Sequence, residues 1–254
     1  MPHRQLFALL GGLIFGAPAL AMSPPEKLSG TAYDLDSGEF LYLEEHQFRY
    51  DEEGQLLGDS VRYLDAEGAL IGSKEVDYRR SVFLPEFLTT VNITGYQEGM
   101  RYEGDQLVLR RRANADAKME EKSLDLDRCD AIDAGFHPLV QMRFEDILAG
   151  DTIRFRFCAA GSLVSVGFKA KRLEDGEIQG QRTVRVRIEI SGFLSFFVDP
   201  LILSYNPLNR DLIRYEGVSN VRDAEGDTYN IRMDYPLREG PYIPPTKANL
   251  PGKE

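Results

Sequence analysis

From Ser29 to Tyr235 the chain alternates apolar and polar residues with a period of two. In Thr183–Ile190, Val184, Val186, Ile188 and Ile190 fall on one side, and Arg185, Arg187 and Glu189 on the other. Ile153, Phe155 and Phe157 alternate with Arg154 and Arg156 in the same way. A period of two marks strands with one face buried and one face in water. Further strands are expected at Glu39–Tyr50, Gln55–Tyr63, Ala69–Tyr78, Gln106–Arg111, Leu163–Arg172, Asp211–Val221 and Thr228–Tyr235.

The segments between these strands carry turn chemistry. Asp51-Glu-Glu-Gly54 and Asp65-Ala-Glu-Gly68 flank one strand, and Asp-Ala-Glu-Gly returns at Asp223–Gly226. Asp-x-x-Gly suits a type I turn closed by a left-handed glycine and a bulge. A calcium loop of the EF-hand kind needs alternating oxygen ligands, a glycine at position 6 and a Glu at position 12. The Asp51 and Asp65 phrases lack the alternation, and the one starting at Asp34 has Glu39 where the glycine belongs. The repeats therefore predict strand corners, with left-handed Gly54, Gly68 and Gly226.

Only one stretch has a clear helical period. In Pro138–Ala149, Leu139, Met142, Ile147 and Leu148 form an apolar stripe that Phe144 widens, with Gly150 suited to end the helix. A second helical turn is expected at Ala115–Lys122. Short links between successive strands favour antiparallel neighbours. The fold class expected is thus α+β, mainly β. It is a curled antiparallel meander, an open barrel or half-barrel of about ten strands, with one main helix packed on or in it.

The two ends depart from this rhythm. Residues 1–21 combine Arg4, an apolar run from Leu6 to about Ala17, Pro18, and small residues at Ala19 and Ala21. That is the pattern of a secretory signal, with an apolar run shorter than the ~20 residues that span a bilayer. The expected organisation is a signal peptide at 1–21, a lead-in at 22–28, one β-rich domain at 29–235 and a Pro-rich flexible tail at 236–254. The mature chain is expected in the periplasm or secreted, with no transmembrane span.

Charge and cysteine content narrow the partners. The chain of 254 residues has a formal net charge of −11, which disfavours nucleic acid and anionic membranes as the main partner. Cys129 and Cys158 are the only cysteines, and in an exported protein such a pair is expected to form a disulfide.

Candidate chemistry is sparse. Beyond residue 21 only His46 and His137 remain, too few for a dedicated three-ligand zinc site without carboxylates. Gly161-Ser-Leu-Val-Ser-Val-Gly167 misses the spacing of a nucleophile elbow and reads as strand. No phosphate-cradling glycine loop occurs. Neither a cofactor nor a metal is expected.

The most unusual stretch runs from Phe193 to Leu203. Phe193, Leu194, Phe196 and Phe197 precede Asp199-Pro200, and Leu201 opens a second apolar group. These five residues are the candidate lining of a ligand cavity, with core packing as the alternative. Arg185 and Arg187 are candidates to meet a polar headgroup, although strand alternation turns them away from Val184 and Val186. The function expected is a non-catalytic exported protein binding an apolar or amphipathic ligand, such as a lipid, in a concave sheet. The alternatives are an interaction module that meets another envelope protein, and a hydrolase using His46 or His137 as its base.

Overall fold

The computed structural model describes residues 25–192 and 199–240. Residues 1–21, expected to be a signal peptide, Phe193, Leu194, Phe196 and Phe197, and the tail beyond residue 240 lie outside the described residues. Eight strands come first: β1 (Lys27–Asp34), β2 (Phe40–Tyr50), β3 (Leu56–Leu64), β4 (Leu70–Asp77), β5 (Glu86–Val91), β6 (Tyr96–Glu103), β7 (Gln106–Arg112) and β8 (Glu120–Asp125). A compact segment follows, holding β9 (Ala131–Ile132), α1 (Phe136–Met142) and α2 (Phe144–Leu148). The chain returns to strands with β10 (Ile153–Ala159), β11 (Val164–Arg172), β12 (Gly176–Ile178), β13 (Gln181–Ile190), β14 (Leu201–Tyr205), β15 (Leu212–Arg222) and β16 (Thr228–Asp234).

The strand order is β8-β7-β6-β5-β4-β3-β2-β1-β16-β15-β14-β13-β11-β10-β9, with β12 hanging on β13. Every neighbour along it is antiparallel except the β9–β10 pair. The first and last strands, β1 and β16, therefore lie side by side in the middle of the sheet. At roughly 4.8 Å per neighbour, a flat sheet in this order would hold its edges about 67 Å apart. Yet the link from edge strand β8 to edge strand β9 runs only from Leu126 to Asp130. Its reach is on the order of 20 Å, so the sheet must curl until its edges nearly meet.

Hydrogen bonds and a disulfide seal that seam. Arg111 on β7 donates to the Gly161 carbonyl beyond β10 at 3.1 Å. Ile132 N–H donates to the Phe83 carbonyl at 3.0 Å. Cys129 and Cys158 form a disulfide across it, with Cα atoms 5.6 Å apart. A cross-link with a sequence separation of 29 stabilises by about 3–4 kcal/mol in the chain-entropy model.

The three repeated corners have one geometry. Gly54, Gly68 and Gly226 sit at φ 80, 80 and 91°. Each donates to the carbonyl of the Asp three residues earlier, at 3.1, 3.1 and 3.2 Å. The Asp carboxylates accept backbone N–H groups of their own turns, from Gln55, Ala69 and Asp227 at 2.7, 2.7 and 2.8 Å. Asp34 is engaged likewise by Ser37 N–H at 2.8 Å. These carboxylates hold corners.

Three details differ from the expectations. The strands among the described residues number 16, more than expected, because short ones such as β5 and β9, and β6 with Gly99 at its centre, show little alternation. The helix breaks at Arg143, which has φ −96° and ψ 16°. Val140, Phe144 and Ile147, spaced i, i+4 and i+7, form the buried face, while Met142, outside that stripe, is left 41% exposed. The helical turn expected at Ala115–Lys122 is instead a turn leading into β8. There Glu120 and Glu121 pair in register with Arg111 and Arg110 of β7, and Arg111 donates to Glu120 at 3.0 Å. Cross-strand charge pairing outweighs helical propensity at that edge.

Among the described residues the interior holds two apolar clusters. The larger packs α1, α2 and the seam against β10, β11, β13 and β14 around Phe144, Ile147, Ile188 and Leu203. The smaller joins β1, β2, β3, β15 and β16 through Ala32, Tyr42, Tyr63, Val221 and Ile231.

Candidate functional site

A cavity of about 510 Å³ opens on the concave side, lined by members of both clusters. Its apolar wall includes Leu56, Val61, Val76, Leu201, Ile231 and Met233. Tyr42, Tyr63, Tyr78, Tyr215 and Tyr235 add aromatic faces. One end is closed by α1 and the turn before it, through Asp133, Phe136, His137 and Gln141. This size lies within the range of ~300–1,000 Å³ common for small-ligand sites.

Three neighbouring strands each bring titratable groups to the lined face. On β2 the inward residues are Tyr42, Glu44, His46, Phe48 and Tyr50; on β3 they are Asp59, Val61 and Tyr63; Lys74 and Val76 come from β4, with Tyr78 just beyond it. The register sets Phe48 opposite Asp59 and Val61 opposite both His46 and Lys74. The polar groups therefore meet on the diagonals. His46 is held by Asp59 through Nδ1 at 2.7 Å and by Glu44 through Nε2 at 2.8 Å. Glu44 also accepts the Tyr235 hydroxyl at 2.8 Å. Asp59 is buried, and its Oδ1 has no hydrogen-bond partner among the described residues.

Lys74 forms the second pair. Its ammonium donates to both oxygens of Asp133, at 2.8 and 2.9 Å, and both side chains are buried. Asp133 adopts φ 40°, a conformation uncommon for residues other than glycine but tolerated best by Asp and Asn. The Lys74 contact thus fastens the turn before α1 to the sheet.

Burial and charge compete at these groups. Burial pushes the His46 pKa down, but the Glu44 charge and the bonds to Asp59 and Glu44 outweigh it and raise it to about 10. Burial pushes the Glu44 pKa up, yet the charge and hydrogen bond of His46, the charge of Lys74 and the bond from the Tyr235 hydroxyl hold it below its ordinary value. Lys74 is driven down by burial and up by Asp133, and ends above its ordinary value. His137, buried and repelled by Arg238 and His46, falls to about 4. It stacks on Tyr205 with the rings 3° from parallel.

These states limit the chemistry. His46 donates from both nitrogens at neutral pH, so it has no lone pair with which to act as a base. The Ser219 hydroxyl lies 2.7 Å from the Tyr42 hydroxyl and accepts the Val221 N–H. No His/Cys/Asp/Glu group suited to hold a metal is found among the described residues, and no helix among them is long and apolar enough to cross a membrane.

Leu201 lies in the lining of the cavity. Arg185 and Arg187 do not reach it. They alternate on β13 with Val184 and Val186, which are 1% and 0% exposed, and so occupy the convex face. Arg187 is bound there to Glu189, which also pairs with Lys169, and Arg185 lies across Gly176 of β12. The alternation that packs the valines inward forces the arginines out. Sequence reasoning missed Glu44, Asp59, Lys74 and Asp133. The signal was present on β2, where Tyr-x-Glu-x-His-x-Phe-x-Tyr places two polar residues on an otherwise aromatic face.

No family model matches the chain, and none of the curated proteins matches it. Among solved structures, it is similar to the crystal structure of a β-barrel-like protein, a domain of unknown function (DUF1849) from Brucella abortus. The two share 10% identity at a TM-score of 0.46, over 85% of this chain and 96% of that one.

Proposed function

We propose that the protein is an exported, non-catalytic carrier or sensor that takes an amphipathic ligand, such as a lipid, into the concave side of its sheet. The observation that carries this is the cavity itself. It couples aliphatic and tyrosine walls to a localised set of buried charges at Glu44, His46, Asp59, Lys74 and Asp133. Apolar surface supplies binding energy and a few placed polar groups fix orientation, the common division of labour in ligand sites. Periplasmic or extracellular residence is part of this reading, supported by the signal-like residues 1–21 and by the disulfide.

Native mass spectrometry of the protein purified from its own cell envelope tests this. The expected spectrum contains an adduct of one small amphipathic molecule, lost on Leu201→Trp, which fills the cavity wall. A clean mass from the purified protein would count against a ligand. So would in-cell cross-linking that yields one protein partner and no lipid adduct, the outcome expected of an interaction module.

A further inference from the structure

We propose that the polar end of the cavity's ligand is an ammonium group, received at Asp59. This rests on the ligand-binding role proposed above and specifies the chemistry of that same site. Among the described residues, the cations lining the cavity are His46, Lys74 and Arg238. Each is already matched to carboxylate: His46 lies between Glu44 and Asp59, Lys74 binds both oxygens of Asp133, and Arg238 binds Asp211 at 3.0 Å. With Glu239, also in the lining, carboxylates outnumber cations. A phosphate or carboxylate entering this space would have to break an existing ion pair, and each broken pair would leave a charge unmatched.

A cation would break none. Asp59 is 3% exposed and lines the cavity, and its Oδ1 is without a hydrogen-bond partner among the described residues. A buried carboxylate oxygen left unmatched is costly, and an N–H donor satisfies it. The faces of Tyr42, Tyr63, Tyr78 and Tyr215, which line the same cavity, suit a desolvated cation through their ring quadrupoles. Excess negative charge, an unsatisfied acceptor and aromatic faces all select the same ligand end.

Calorimetry at pH 7 with two twelve-carbon probes below their micelle concentrations tests this on the full exported chain. Dodecylammonium and dodecanoate share a tail and differ in head. Dodecylammonium is expected to bind at one per chain and at least tenfold tighter than dodecanoate. Asp59→Asn is expected to shrink that ratio at least fivefold, while Asp105→Asn, at a side chain 99% exposed, leaves it unchanged and so separates the cavity from the general acidity of the surface. Equal or tighter binding of dodecanoate overturns the ammonium assignment and leaves the cavity's binding role standing. Binding of neither probe overturns both. An unchanged ratio in Asp59→Asn removes Asp59 as the receiving group, and the wild-type ratio decides the head chemistry even if that variant does not fold.

Discussion

Replacing Lys74 with Met is the most direct probe of what fastens the closed end of the cavity. The ammonium lies 2.8 and 2.9 Å from the two Asp133 oxygens, and the side chains are 8% and 7% exposed. At an effective dielectric of about 20 their attraction is about 6 kcal/mol, set against a desolvation cost of several kcal/mol for each ion. The net worth of the pair is therefore small, but removing one partner is a different matter. Lys74→Met leaves the Asp133 carboxylate buried with the Ala134 N–H at 2.7 Å and the distant Asn220 amide at 3.4 Å. Such an orphaned charge costs about 3–5 kcal/mol. Urea unfolding at pH 7, followed by tyrosine emission because the chain has no tryptophan, should show that loss as a lower midpoint with little change in slope. Lys74→Met with Asp133→Asn should recover most of it, since neither charge is then stranded. A single-mutant loss below about 1 kcal/mol would mean the pair behaves as a surface bridge. A double mutant as unstable as the single would show that the lysine stem, not charge matching, matters there.

Two further outcomes follow from the turns and the histidines. Gly54→Ala, Gly68→Ala or Gly226→Ala should each lose about 1–2 kcal/mol, purely from the left-handed backbone, because no atom of the described residues lies within 4 Å of the added methyl. Gly135→Ala should be much worse, since its Cβ would meet the Phe83 carbonyl oxygen at 2.0 Å; equal losses at the two kinds of site would refute this. The histidines should give opposite pH limbs. His46, raised from 6.5 to about 10, contributes stability that is complete below pH 6.5 and lost as pH rises toward 10. His137, lowered from 6.5 to about 4, contributes stability present above pH 6.5 and lost as pH falls toward 4. Urea midpoints across pH should thus peak near 6.5, with His46→Gln flattening the alkaline limb and His137→Phe the acid limb. An alkaline limb unchanged in His46→Gln would contradict the clamp by Glu44 and Asp59.

Local pattern alone determined much of this molecule. Period-two segments such as Thr183–Ile190 can satisfy their apolar side chains only as strands, and Asp-x-x-Gly corners dictate where they reverse. Short links then imply an antiparallel sheet, and its many strands imply curling. These are near-neighbour constraints, legible wherever adjacent residues conflict with every other conformation. The candidate site was legible only at Leu201 and in the polar residues on the aromatic face of β2. The remainder depends on register and closure. Phe48 opposite Asp59 brings Asp59 within reach of His46, and β16 beside β1 brings Tyr235 to Glu44 across 191 residues of sequence. The curl of the sheet delivers Asp133 to Lys74, 59 residues away. Alternation states which face a side chain takes, whereas its charge partner is set by what the curled sheet places opposite. For that reason Arg185 and Arg187 read as headgroup binders, while the buried ion pairs that line the cavity became visible only in the tertiary structure.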